Sequence, residues 1–200
     1  PRNTTSWGAG DVLRQIKGTK AVSDLTLKEL TLKLTMLLAL LSAQRVQTLQ
    51  ALDIEHISWH SEGVTFQVRT LLKQSRPGHH LEDIELTRYR HCRRLCVVTL
   101  LQEYIDRTKD LRTTSKLLIS FVKPHNVVTT STVARWIKQV LTSCGIDKKY
   151  TAHSTRGAST TKAHFAQVPI DSIMRAAGWL VFTVYFYQTL QEANTAVWRF

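Results

Sequence analysis

The stretch from Leu27 to Ser42 constrains this 200-residue chain more than any other. Thr26 followed three residues later by Glu29 has the form of a capping box, in which side chain and backbone satisfy each other's free groups at a helix start. Beyond it, Leu27, Leu30, Leu34, Leu37, Leu38 and Leu41 recur at helical spacing, while Leu32, Met36 and Leu40 fill the other faces. A helix apolar on nearly every side has no face to give to water, so the remaining elements must pack around it. The apolar run from Leu34 to Ser42 is too short to span a bilayer, and Lys33 precedes it. No charged n-region followed by an apolar stretch marks a secretion signal. Cys92, Cys96 and Cys144 form an odd set with no CxxC pair, which suits reduced thiols in a nuclear or cytoplasmic protein.

Around that helix the periodicity changes. Residues 1–22 are polar apart from a short helical candidate near Asp11 to Lys17, and read as a linker or the stub of something upstream. Ser42-Ala43-Gln44 interrupts the leucine-rich helix, and a second helix starts over Arg45 to Leu52. His56 to Trp59 and then Val64, Phe66 and Val68 alternate around Ser61-Glu62-Gly63, as in a hairpin. A polar turn containing Arg76-Pro77-Gly78 follows, and Asp83 to Leu86 supplies a third strand. Helical spacing returns from Arg94, again after Ser131 as a cap with Gly145 closing the helix, and again over His153 to Phe165, Ile170 to Ala177 and Val181 to Leu190. The expected fold class is α+β, mostly helical with a small three-stranded antiparallel sheet.

Lysine and arginine number 27 against 15 acids, a formal charge of +12. Apolar residues at 43% and charged residues at 21% are ordinary for a globular chain, so the excess charge points to a polyanionic partner rather than to disorder. The charge is uneven. Between Arg69 and Arg94, seven basic residues (Arg69, Lys73, Arg76, Arg88, Arg90, Arg93 and Arg94) face three acids, with His79, His80 and His91 among them. On a hairpin and the helix after it, such a group forms a phosphate-facing surface. Metal chemistry is a poor explanation, because adjacent His79 and His80 do not face one ion and no acids or thiols at ligand spacing accompany them. Hydrolase and nucleotide chemistry are disfavoured as well. Ser154 lies in no GxSxG elbow and reads as a helix cap, and no glycine-rich phosphate loop is present.

Two features remain. In Thr151-Ala152-His153-Ser154-Thr155-Arg156, His153 and Arg156 share one face of a helix start, where both donate to an oxyanion. Arg45 stands among leucines at a helix junction with no acid within a turn, and a half-buried arginine needs an anion.

With these residues in place the chain resembles the catalytic domain of the tyrosine recombinases of phage-integrase type. Within them it is most similar to the recombinases of DIRS-like and Crypton-like mobile elements. The resemblance runs from Leu25 to Gln188. It rests on blocks in fixed order: Leu41 to Leu49, Leu71 to Gly78, Phe121 to His125, Ala152 to Arg156 and Ala176 to Trp179. It implies Arg45, Lys73, His153, Arg156 and Trp179 around one DNA phosphate, with Tyr187 as the nucleophile. The two arginines would neutralise the phosphate, Lys73 would protonate the leaving 5′-oxygen, and His153 would assist proton transfer at the tyrosine. Arg69, Arg76, His79, His80 and Lys123 would contact double-stranded DNA. No metal or cofactor is implied.

The implied activity is site-specific DNA strand cleavage and rejoining, in DNA recombination or integration of a mobile element, by a tetramer on DNA. Residues 1–22 would then be the linker or stub of an N-terminal DNA-binding domain, and 23–200 the catalytic domain. Thr189 to Phe200 either docks into a neighbouring copy or caps its own core. Two positions depart from the pattern. Thr48 stands where most of the family carries an acid, and Tyr187 follows Trp179 by eight residues, a shorter interval than usual. A DNA-binding module that no longer cleaves, and a type IB topoisomerase relaxing supercoils as a monomer, are the alternatives.

Overall fold

Thr26 opens α2 (Leu27–Ser42) with both halves of its capping box formed. The Glu29 amide donates to Thr26 Oγ1 at 3.2 Å, and the Thr26 amide donates to the Glu29 carboxylate at 2.7 Å. In this computed structural model, which describes residues 7–69, 83–169 and 171–173, α2 is the central element. Leu30, Leu34, Met36, Leu37 and Ala39 have no exposure, and each buried leucine adds about 1.5–3 kcal/mol of transfer free energy. The polar residues carried inside are satisfied locally. Thr35 donates to the Thr31 carbonyl and Ser42 to the Leu38 carbonyl, so neither hydroxyl is stranded in the core.

Five further α-helices among the described residues surround it: α1 (Ala9–Lys17), α3 (Val46–Ala51), α4 (Val97–Thr108), α5 (Thr130–Ser143) and α6 (Ser154–Phe165). Helices α4, α5 and α6 pack directly on α2, as an all-round apolar helix demands. Helix α1 belongs to the first 22 residues, yet Trp7, Ala9, Val12 and Ile16 are buried in the same core. The segment between α1 and α2 is held by Arg107 of α4, whose guanidinium donates to the carbonyls of Val22, Ser23 and Leu25.

The sheet is antiparallel in the order β1 (Ile57–His60), β2 (Gly63–Phe66), β3 (Ile84–Thr87). Trp59 pairs with Val64 and Val64 with Leu86, so one face carries Ile57, Trp59, Val64, Phe66, Ile84 and Leu86. That face packs through β3 on α2 and α4. Gly63 is needed at the turn, because a Cβ there would sit 2.2 Å from the Leu86 carbonyl oxygen. The expected α+β class and three-stranded sheet are thus present.

Three local expectations change. Thr129, not Ser131, caps α5: its hydroxyl accepts from the Thr132 amide at 3.3 Å, and Ser131 sits inside the helix bonded to Thr129 Oγ1. Ser154 is the first residue of α6 rather than its cap. His153 is already helical, at φ −66° and ψ −30°, and the Ser154 hydroxyl is engaged elsewhere. The helix expected from Arg94 begins at Val97, after a 3-10 turn over Arg93–Leu95 that Cys92 and Cys96 flank. The helices expected over Ile170 to Ala177 and Val181 to Leu190 lie outside the described residues, apart from 171–173. Among the described residues no helix is long and apolar enough to cross a membrane.

Candidate active site

Helix α2 ends at Ala43, which adopts the left-handed conformation at φ 51° and ψ 21°. The chain turns there, and the buried Gln44 donates its amide to Ser42 Oγ at 3.3 Å. Arg45 follows as the N-cap of α3 in extended conformation, its own carbonyl accepting from the Leu49 amide. Backbone geometry thus fixes where the half-buried Arg45 side chain departs.

Helix α6 runs antiparallel to α2. Arg156 Nε donates to the Ala43 carbonyl at 3.0 Å, and one turn further the Ser159 hydroxyl donates to the Leu40 carbonyl, one turn back along α2. Within α6, Thr155 donates to the Ala152 carbonyl and Thr160 to the Arg156 carbonyl, which tightens the first two turns. Arg156 is only 4% exposed. Burial, and then the neighbouring Arg45 charge, push its pKa down to about 10. It still carries its proton at neutral pH. The Arg45 charge, 111 positions away in sequence, is thus near enough to disfavour the charged form of Arg156, and Arg45 forms no salt bridge among the described residues. An oxyanion beside the two charges would relieve that repulsion.

His153 is exposed at the N-cap of α6, one turn before Arg156. Thr48, at the position where the family pattern expects an acid, is 1% exposed, and its hydroxyl has no hydrogen-bond partner among the described residues. Arg69 is exposed just beyond β2, with its guanidinium donating to the Gln67 side chain at 3.0 Å. Lys123 is exposed in the loop before α5. The structure therefore brings Arg45 and Arg156 together, with His153 on the same helix start. Lys73, Arg76, His79, His80, Trp179 and Tyr187 lie outside the described residues.

Of the described tyrosines, Tyr104 is fully committed to structure. Its hydroxyl donates to the Ile119 carbonyl and accepts from the Ile119 amide, and burial pushes its pKa up. The residue that sequence reasoning passed over is Trp7. Its indole N–H donates to Ser154 Oγ at 2.8 Å, inside the His153–Arg156 motif. A lone aromatic in a polar segment was its only signal.

Helices around an apolar central helix, with a three-stranded sheet to one side, define an α+β domain. Residues 15–188 match the family model described as the phage integrase family, and the chain belongs to that family. No curated protein matches it significantly. Three solved structures show the same fold at low sequence identity. The XerA recombinase has a TM-score of 0.64 at 18% identity, over 98% of this chain and 64% of that one. The XerH site-specific recombinase, in a post-cleavage complex with palindromic difH substrate, has a TM-score of 0.67 at 13% identity, over 96% and 53%. The lambda integrase catalytic core has a TM-score of 0.54 at 16% identity, over 88% and 96%. The chain thus spans about two thirds of the XerA chain and half of the XerH chain, and nearly all of the lambda catalytic core.

Proposed function

We propose that this chain is the catalytic domain of a tyrosine recombinase that cuts and rejoins duplex DNA through a 3′-phosphotyrosyl intermediate. One observation carries the reading: Arg156 Nε donates to the Ala43 carbonyl two residues before Arg45, whose charge lowers the Arg156 pKa, and the exposed His153 stands one turn from Arg156. The excess of basic residues and the family membership agree with it.

In this reading the two guanidiniums hold the non-bridging oxygens of one phosphodiester and neutralise charge as it builds in the transition state. The Tyr187 phenolate oxygen attacks phosphorus, the bond to the 5′-oxygen breaks, and Lys73 supplies the proton that leaves with it. His153 helps take up the phenol proton, and Trp179 donates its indole N–H to the phosphate. Attack by a 5′-hydroxyl on the phosphotyrosine reverses the steps, so the bond energy is conserved and the chemistry balances with no nucleotide cofactor. Arg69, Arg76, His79, His80 and Lys123 contact the duplex. A tetramer on two duplexes, a mobile-element origin of DIRS-like or Crypton-like type, and residues 1–22 as the linker from an N-terminal DNA-binding domain, with α1 docked on the catalytic core, complete the proposal.

The test is a nicked duplex from which the cleaved fragment diffuses away. A covalent adduct that vanishes in Tyr187→Phe supports the enzyme. Salt-sensitive binding without an adduct supports a non-cleaving module, the reading that the eight-residue Trp179–Tyr187 interval and the unpartnered Thr48 hydroxyl favour. Supercoil relaxation without recombinant products supports a type IB topoisomerase.

A further inference from the structure

Helix α1 is fastened at both ends to the elements that hold Arg156. At its start, Trp7 is 7% exposed and its Nε1–H donates to Ser154 Oγ at 2.8 Å. The same Ser154 hydroxyl donates to the Thr151 carbonyl at 2.7 Å, so its oxygen both gives and receives and its rotamer is fixed. Beyond its end, Thr19 Oγ1 accepts from Lys33 Nζ at 2.7 Å, on a lysine that is itself 5% exposed within α2. Between these points Ala9, Val12 and Ile16 are buried, and a Cβ on Gly10 would lie 3.7 Å from Lys162 Nζ, so α1 lies along α6.

We propose that residues 7–19 are a strap that sets the position of the first turn of α6, with Trp7 acting through Ser154 as a positioning residue for His153 and Arg156. Ser154 stands between those two residues in the first turn of the helix. The first amides of α6, from Ser154 to Arg156, donate to the backbone carbonyls of Thr151, Ala152 and His153, and the N-cap His153 adds no side-chain cap. The Trp7–Ser154–Thr151 relay adds a side-chain tie to that backbone-bonded turn, holding it from outside. Since α2 supplies the Ala43 carbonyl that receives Arg156 Nε, the strap grips both sides of that contact. Indole N–H is a donor only, so the relay runs in one direction and phenylalanine cannot replace it.

The inference rests on the proposed strand-cleaving activity, and its test separates the two. Trp7→Phe, Ser154→Ala, their double variant and Ser154→Thr are compared with the wild type. The readouts are single-turnover cleavage of a nicked duplex at saturating protein, duplex affinity at the same salt, and thermal unfolding. Small displacements of a reacting group cost up to about a hundredfold, so a loosened turn is expected to slow cleavage about tenfold in each single variant. Duplex Kd stays within about twofold, the double variant is no slower than either single one, and Ser154→Thr, which keeps the hydroxyl, retains the wild-type rate.

Multiplying losses in the double variant, unchanged rates, or losses that disappear on cooling in step with restored stability overturn the strap. Ser154→Ala breaks the same bond without vacating the buried indole site, and decides the matter if Trp7→Phe does not fold. If the wild type makes no adduct, the activity reading falls by itself. The strap is then judged by amide hydrogen exchange at 154–157. Equal acceleration in Trp7→Phe and Ser154→Ala upholds it, and unchanged exchange overturns it.

Discussion

Arg156 Nε donates to the carbonyl oxygen of Ala43 at 3.0 Å, joining residues 113 positions apart. Ala43 presents that carbonyl because it ends α2 in the left-handed conformation, where the chain turns toward Arg45. One residue thus closes the central helix, receives one arginine, and aims the chain at the other. The Arg45 charge lies close enough to lower the Arg156 pKa.

Arg156→Lys keeps a positive charge but removes both the Nε donor to Ala43 and the planar fork. Cleavage of a nicked duplex is expected to fall by about a hundredfold or more, as it does when one preorganised donor to a developing oxyanion is lost. Single-turnover kinetics at saturating protein measure it. A rate within threefold of the wild type would show that Arg156 serves packing alone.

If an anion relieves the Arg45–Arg156 repulsion, sulfate should stabilise the protein. Burial and the second charge lower the Arg156 pKa to about 10, so Arg156 remains a cation throughout the neutral range. The penalty on stability is present at every pH below about 10, and lifts only as Arg156 loses its proton above it. Sulfate, compared with chloride at matched ionic strength, is expected to stabilise the protein by about 1 kcal/mol, or roughly 2–4 °C in Tm. In Arg45→Gln the sulfate increment shrinks, while the Tm without sulfate does not fall. Equal sulfate responses in the two proteins would remove Arg45 from the pocket.

Asp53 pins the start of β1's approach to residues 115–116. Burial pushes its carboxyl up, but the Glu55 amide, the Ser115 hydroxyl and Lys116 together hold it below the usual range. A depressed carboxyl stabilises the fold above its unfolded pKa, and that contribution is lost as pH falls below about 4. Asp53→Asn should cost about 1–3 kcal/mol at pH 7 and flatten the acid limb. Denaturant midpoints at pH 7, 4 and 3 give both quantities.

Lys73→Ala is expected to slow cleavage while duplex affinity stays near wild type. A substrate with sulfur at the 5′-bridging position releases a thiolate that needs no proton, so it should restore the rate of Lys73→Ala. Lost binding, with no rescue by sulfur, would make Lys73 a phosphate anchor instead of an acid.

Where sequence reading succeeded and failed follows the range of the forces involved. The Thr26–Glu29 box, the hairpin around Ser61 to Gly63 and the all-round apolar α2 were readable because their partners lie within a few residues. Thr129 displaced Ser131 as a cap because several hydroxyls compete at that helix start and only backbone angles choose between them. Arg107 was not readable. Its partners are backbone carbonyls more than 80 positions away, and carbonyls have no sequence signature. Trp7 failed for the same reason, since nothing local marks its distant serine acceptor.

The amino-acid order by itself determined the elements, the apolar core helix and the set of basic and aromatic residues matching one family in succession. Tertiary structure alone decided that Arg45 and Arg156 become neighbours and that Trp7 reaches Ser154. Periodicity and capping act over one or two turns. Bringing two like charges together at a helix end requires α6 to lie antiparallel on α2, where the Arg156–Ala43 and Ser159–Leu40 hydrogen bonds and the burial of Ala158 hold it against the repulsion.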